Sequence, residues 1–448
     1  MRIIISGIGD VGFHLAKLMS AQSHDIVVID TDKEKIQYAE DHLDIISYRG
    51  SSSSFSTLQE AKVAQTDLFL AVTNADEVNL TSCMIAKKMG AALCIARISN
   101  AEYNSSQQQT FFQELGIDGM IFPEEIAARE IFRLITKAEF SEFFDFFEKK
   151  LSIAGITVEA GSQLDNRTIE ELKFLNENND FMAVAILRDG ETIIPRSKTT
   201  VLEGDLIYFV LEPHATQTVL RLTGTEKFVI NKIMIVGGGK IGESAARMLE
   251  KDYQVKLIEK DKQRAFELAE NLTDTLIING DGRDVELLEE EDLENMDAFI
   301  ALSGDAETNI ISSIVAKNHD VRKTIALVDN MDYINISQNI GIDALVNKKL
   351  IAANNIFRYV RKGDIGDLIS LPGLDIEVLE FIVGSECKIN NKQIKNLGFP
   401  KNAIIAGVIR NNRGYITMGD FVAKENDRVI VVSKPEAISR VEAFFSNN

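Results

Sequence analysis

Two glycine-rich turns hold the residues of this chain whose types and spacing point to chemistry. They read Gly7-Ile8-Gly9-Asp10-Val11-Gly12 and Gly237-Gly238-Gly239-Lys240-Ile241-Gly242, and they stand 230 positions apart. Each follows an apolar run, Ile3-Ile4-Ile5 or Ile233-Met234-Ile235-Val236, and the first opens a helix pattern through Val11, Leu15, Leu18 and Met19. In a strand, glycine turn and helix unit, the first glycines allow a tight turn and a close approach of backbone to a pyrophosphate. The pyrophosphate then sits at the positive end of the helix. A second strand-like run ends in an acid in both places, Asp30 after Ile26-Val27-Val28-Ile29 and Glu259 after Val255-Lys256-Leu257-Ile258. Such an acid accepts hydrogen bonds from a ribose hydroxyl and repels the 2′-phosphate of NADP. The expected chemistry is the capture of NAD(H) or an adenine nucleotide; a turn that keeps its fold without a ligand is the other reading.

Further candidates follow later strands. Thr73-Asn74 and Ser303-Gly304 end strands on the side where such folds bind ligands, and their small polar groups suit a ribose or phosphates. Gly50-Ser51 and Gly280-Asp281 occupy the turn after the third strand, facing an adenine or forming a plain turn. The two copies differ in charge. The first has Asp10 inside its turn and Arg97 at the end of its fifth strand, whereas the second has Lys240 in the turn and Leu327 in the arginine's place. Each pocket is therefore expected to hold one cation, Arg97 as a bidentate phosphate ligand or a surface ion pair, and Lys240 as a point charge. The acidic run Glu289-Glu290-Glu291-Asp292, with Glu294, lacks the alternating oxygen spacing of a calcium loop and reads as a solvated helix face. His14, His24, His42, His214 and His319 are scattered, and none pairs with a nucleophile or a metal-type partner, so no catalytic residue is nominated and no metal site is expected.

The repeat extends well past the glycines. Gly50 matches Gly280, Asp67 matches Asp297, Phe69 matches Phe299, Asn79 matches Asn309, Asn100 matches Asn330 and Tyr103 matches Tyr333, all at the same offset of 230. Short apolar strands alternate with helix-length segments in both copies, which implies a parallel sheet covered on both faces. After each copy comes a shorter stretch of alternating residues and turn signals, Asp189-Gly190 in one and Asn411-Asn412 in the other, with Arg188 matching Arg410 and Asp205 matching Asp427 at an offset of 222. The expected fold class is α/β, with two doubly wound parallel-sheet (Rossmann-like) domains, each followed by a small α+β domain. The expected boundaries are 1–137, 138–225, 230–362 and 363–448. Between the first two, Phe140, Phe143, Phe144 and Phe147 fall at helical spacing, which predicts one apolar helix face that packs within the chain or crosses to a neighbour.

A formal net charge of −20 argues against nucleic acid and against an anionic membrane surface, while it suits the Lys- and Arg-rich cytoplasmic loops of a membrane protein. No apolar run approaches the roughly 18 residues needed to span a bilayer. Met1-Arg2 lead straight into a strand, so no signal peptide is expected. Cys83, Cys94 and Cys387 have no metal-type spacing and read as reduced core residues, as in a cytosolic protein.

The paired turns, Asp30 and Glu259, the Ala96-Arg97-Ile98 strand end followed by Asn100 and Tyr103, and the small lobe after each unit resemble the regulator-of-potassium-conductance domains over essentially the whole chain. The resemblance implies a peripheral cytoplasmic protein on the inner face of the plasma membrane. It would bind NAD(H) and ATP or ADP and gate a potassium channel of the TrkH type without catalysing a reaction. It also implies a ring of Rossmann units, hence a homotetramer of this two-unit chain. One departure is Ser99, where the family commonly carries a second arginine. An NAD-dependent dehydrogenase and a nucleotide-sensing subunit of another ion exchanger are the competing readings.

Overall fold

The computed structural model describes residues 1–20, 24–146, 150–225, 229–328, 341–360, 365–370 and 374–446. Phe147, Asn330 and Tyr333 lie outside the described residues. The first copy folds into strands β1 (Arg2–Ser6), β2 (Asp25–Asp30), β3 (Ile46–Arg49), β4 (Leu68–Ala71), β5 (Leu93–Arg97) and β6 (Gly119–Ile121). Its helices are α1 (Asp10–Ser20), α2 (Lys33–His42), α3 (Phe55–Glu60), α4 (Asp76–Met89), α5 (Ser106–Glu114) and α6 (Pro123–Thr136). All the strand pairs are parallel, in the order β3-β2-β1-β4-β5-β6. β1 and β4 are apolar on both faces because helices cover both sides, and Ile3, Ile4, Ile5, Leu68, Phe69 and Leu70 are fully buried. The order reverses between β1 and β4, and the crevice at their carboxyl ends is where such sheets take ligands.

The first lobe follows, with β7 (Glu142–Phe146), β8 (Leu151–Thr157), β9 (Phe181–Arg188), β10 (Glu191–Ile193), β11 (Leu206–Leu211) and α7 (Thr216–Thr223). The second copy repeats the parallel sheet as β12 (Lys232–Val236), β13 (Gln254–Glu259), β14 (Thr275–Asn279), β15 (Ala298–Ala301), β16 (Lys323–Leu327) and β17 (Ala344–Val346). Its order, β14-β13-β12-β15-β16-β17, is that of the first. Its described helices are α8 (Lys240–Leu249), α9 (Lys262–Asn271), α10 (Val285–Glu290), α11 (Ala306–Asn318) and α12 (Lys348–Val360). The second lobe holds β18 (Ile365–Ser370), β19 (Glu377–Ile382), β20 (Ala403–Arg410), β21 (Arg413–Ile416), β22 (Arg428–Ser433) and α13 (Ile438–Phe445).

Both lobe sheets are antiparallel, ordered β10-β9-β11-β8-β7 and β18-β19-β22-β20-β21. The hairpin turns that the sequence marks have positive φ at both central residues, Asp189 (50°) with Gly190 (78°) and Asn411 (51°) with Asn412 (63°), the geometry whose twist matches the flanking strands. The matched pairs are bidentate ion pairs. Arg188 holds Asp205 at 2.7 and 2.6 Å, Arg410 holds Asp427 at 2.8 and 2.7 Å, and both aspartates are buried. The two sheets share one apolar layer through Ile153, Tyr208 and Val210 of one lobe and Val378, Ile430 and Val432 of the other.

The helices after β6 and β17 do not stay with their own sheets. Ala127, Ala128, Ile131, Leu134 and Ile135 of α6 are buried in the second unit's core beside Ile241, Ala245 and Leu249. Ala352, Ala353 and Ile356 of α12 are buried in the first unit's core beside Val11, Leu15 and Met19. Buried Lys323 at the start of β16 secures this exchange, its ammonium donating to the carbonyls of Ala138 (3.1 Å) and Phe140 (3.0 Å) beyond α6; burial pushes its pKa down to about 8.

The phenylalanine stripe is not a helix face. α6 ends at Thr136, and Glu142–Phe146 pairs antiparallel with β8 as the edge strand β7. Phe140 and Phe143 enter the first lobe's own core, and Phe144 turns to the opposite face, where the Arg133 guanidinium lies 4.1 Å from its ring centre. Adjacent aromatics suit a strand, whose side chains alternate faces, as well as they suit a helix, and pairing with β8 decides between the two.

Candidate nucleotide-binding sites

The glycines of each turn have different duties. Gly7 has φ +93°, its amide donates to the Ile29 carbonyl at 2.8 Å, and a Cβ there would stand 2.9 Å from the Thr73 nitrogen. A Cβ on Gly12 would stand 1.9 Å from the Gly7 carbonyl oxygen. Neither position admits a side chain, because the chain doubles back against itself and against the end of β4. Gly9 faces open space, with nothing within 4 Å of its would-be Cβ. The second turn repeats this: Gly237 has φ +101°, Gly242 would meet the Gly237 carbonyl oxygen at 2.0 Å, and Gly239 is open. Ile8, Val11 and Ile241 are buried and anchor the turns. The open glycine at the start of each helix leaves backbone amides accessible to an anion.

The acids stand where the turn needs them. Asp30 accepts the Ile8 amide on one oxygen (2.7 Å) and the Asp32 amide on the other (2.9 Å). Glu259 does the same with Gly238 and Asp261, both at 2.7 Å. Each ionised oxygen retains capacity for a further donor such as a ribose hydroxyl.

Buried asparagines that the sequence reading did not single out as site residues set the next wall. Asn79 accepts the Thr73 amide (2.9 Å) and hydroxyl (2.7 Å) and donates to the carbonyls of Thr73 (3.0 Å) and Arg97 (2.8 Å), tying the end of β4 to the end of β5. Asn309 makes the same four bonds to Ser303 and Leu327. Their recurrence at the repeat offset was the available signal. In the first copy Asp76 adds a clamp, accepting the amides of Ser99 and Asn100; the residue matched to it in the second copy is Ala306.

The turns after the third strands diverge. Ser51 pairs with Ser53 at 2.8 Å, whereas Asp281 is gripped by Arg283 (2.7 Å) and Lys260 (2.9 Å), which hold its carboxyl far below the ordinary range. Gly304 faces open space. Arg264, absent from the sequence reading, donates from Nε to the Gly238 carbonyl at 2.9 Å and ties α9 to the second turn.

The two candidate cations, Arg97 and Lys240, both have protein partners in this structure. Arg97 contacts Asn74 (3.1 Å) and lies 3.8 Å from Glu124, in the first turn of α6, but the Lys240 ammonium leaves its own turn and donates to the Ser99 carbonyl of the first unit at 3.2 Å. Two lysines of α12 also reach the first unit: Lys348 lies 3.6 Å from Glu124, and Lys349 pairs with Asp10 at 2.9 Å. Sequence distance hid these contacts, since only the helix exchange brings α12 onto α1. No cluster of metal-ligating side chains occurs among the described residues.

Comparison with known proteins agrees with this architecture. The TrkA-N domain matches residues 3–123 and 233–348, and the TrkA-C domain matches 153–224 and 378–446. The chain is 33% identical over 448 residues to a Trk system potassium uptake protein TrkA homolog of Archaeoglobus fulgidus, covering 99% of this chain and all of that one. It is 32% identical over 452 residues to the Trk system potassium uptake protein TrkA of Haemophilus influenzae, covering 99% and 98%. Among solved structures, the GsuK RCK domain aligns at a TM-score of 0.62 with 16% identity, covering 99% of this chain and 94% of that one. The GsuK channel bound to NAD aligns at 0.63 with 17% identity, covering 99% and 78%, a likeness of fold. With both units and both lobes matched in order along its length, the chain belongs to the TrkA family of potassium uptake proteins.

Proposed function

We propose that this chain is a peripheral cytoplasmic regulatory subunit that binds NAD(H) and ATP or ADP and gates a TrkH-type potassium channel, without catalysing a reaction of its own. The observation that carries the reading is the repeated constellation of an open glycine at a helix start, an acid held by the turn's own amide and a pinned strand end, built twice and joined by exchanged helices. Support comes from the names of the relatives, which are potassium uptake proteins, and from neighbours solved with NAD and with ADP. No helix among the described residues is long and apolar enough to cross a membrane, which agrees with a peripheral role. A ligand moves a channel only through unequal affinity for two arrangements of its regulator, and a coupling of about 1–3 kcal/mol gives a 5- to 150-fold shift. Helices shared between the units give each nucleotide a mechanical route to the other half.

Reconstitution with the cognate channel in liposomes tests the reading. Potassium flux is expected to depend on this protein and to change with ATP, ADP or NADH. Flux indifferent to protein and nucleotide, together with NADH oxidation on a metabolite, would move the assignment to a dehydrogenase.

A further inference from the structure

At two matched positions the halves carry opposite charge. The glycine turns hold Asp10 in the first half and Lys240 in the second, and the second residue of the exchanged helix is Glu124 in α6 and Lys349 in α12. Because α12 packs on α1, the pair Asp10–Lys349 closes at 2.9 Å beside the first turn; the Asp10 carboxylate is 73% exposed and the Lys349 side chain only 24%. An aspartate in the first turn of α1 is compatible with a bound phosphate only if its charge is cancelled or moved aside. Lys349 does the first in this structure.

We propose that Lys349, supplied by the second half, is a ligand for the terminal phosphate of a nucleoside diphosphate or triphosphate at the first glycine turn, with Asp10 as the displaceable anion that otherwise holds it. The inference rests on the reading of that turn as a nucleotide site. A phosphate carries more charge than the carboxylate it replaces, so the exchange favours the nucleotide, and Arg97 lies on the same side, 3.8 Å from Glu124. A monophosphate, which ends at the turn, gains nothing from Lys349. The ammonium therefore discriminates by phosphate number, and its engagement links occupancy of the first unit to the position of a helix that belongs to the second.

The test is calorimetric titration of the full chain with AMP and ADP in a Gly239→Asp background. That aspartate fills the open space of the second turn at a helix N-cap position it suits, so the first turn is the one titrated. Lys349→Ala is expected to weaken ADP on the order of 10- to 100-fold and leave AMP within about threefold. Asp10→Asn is expected to tighten ADP, since it removes the competing anion while leaving Lys349 in place. Lys349→Gln, closer in length, gives the same answer if Lys349→Ala also loses AMP through misfolding. An ADP affinity unmoved by either Lys349 variant overturns the proposal, as does Asp10→Asn weakening ADP in parallel with them, the signature of a pair that only holds two helices together. Absence of AMP and ADP binding in the Gly239→Asp chain with intact Lys349 would instead remove the nucleotide reading of the first turn itself.

Discussion

Asp30 and Glu259 are each held by two backbone amides, one from the glycine turn and one from the start of the next helix. The fold itself fixes their orientation, so a ribose bound at this turn would meet an acceptor already in place. The first unit is therefore expected to prefer NAD over NADP, and Asp30→Ala to narrow that preference by weakening NAD by about 1.5–3 kcal/mol, the worth of hydrogen bonds to a charged group. Titration of both dinucleotides into wild type and variant checks it; equal wild-type affinities would remove the role assigned to Asp30. The strand-end asparagines act one layer behind. Asn79 and Asn309 each tie the end of one strand to the end of the next through their side-chain amides, which fixes the two loops that flank the turn.

At the scale of elements, the exchanged helices decide which half each contact stabilises. Ile131 belongs by sequence to the first unit and by packing to the second, where it is fully buried. Ile131→Ala is expected to cost about 2–5 kcal/mol. Hydrogen exchange should show the loss of protection first in α8 and β12, not in β1 or β4, and the reverse order would contradict the exchange. The lobes, by contrast, are made of hairpins with local turns, and their Arg188–Asp205 and Arg410–Asp427 pairs are repeated at equal spacing.

For the molecule as a whole, the ring of Rossmann units that the resemblance implies would close at eight units with four copies of this two-unit chain, and native mass measurement is then expected to find a tetramer of the 49.8 kDa chain. A monomer at working concentration would rule the ring out. The net charge of −20 would steer such a ring toward a basic cytoplasmic face, with an association rate that falls as salt rises.

The duplication, the parallel sheets, the two glycine turns and their acids were legible in the sequence because each is a local pattern: apolar runs of strand length, glycines where φ is positive or space is closed, an acid one strand later. The lobe hairpins were legible for the same reason, through Asp189-Gly190 and Asn411-Asn412. Phe140 to Phe144 were misleading because aromatic spacing satisfies both a helix face and an edge strand, and the partner strand β8 made the choice. The direction of Lys240, the arrival of Lys348 and Lys349 beside Asp10 and Glu124, and the anchoring of Lys323 on the carbonyls that follow α6 were decided by tertiary structure alone. Each depends on α6 and α12 crossing to the other unit, and a helix's apolar stripe records that it must be buried without recording against which of two nearly identical cores.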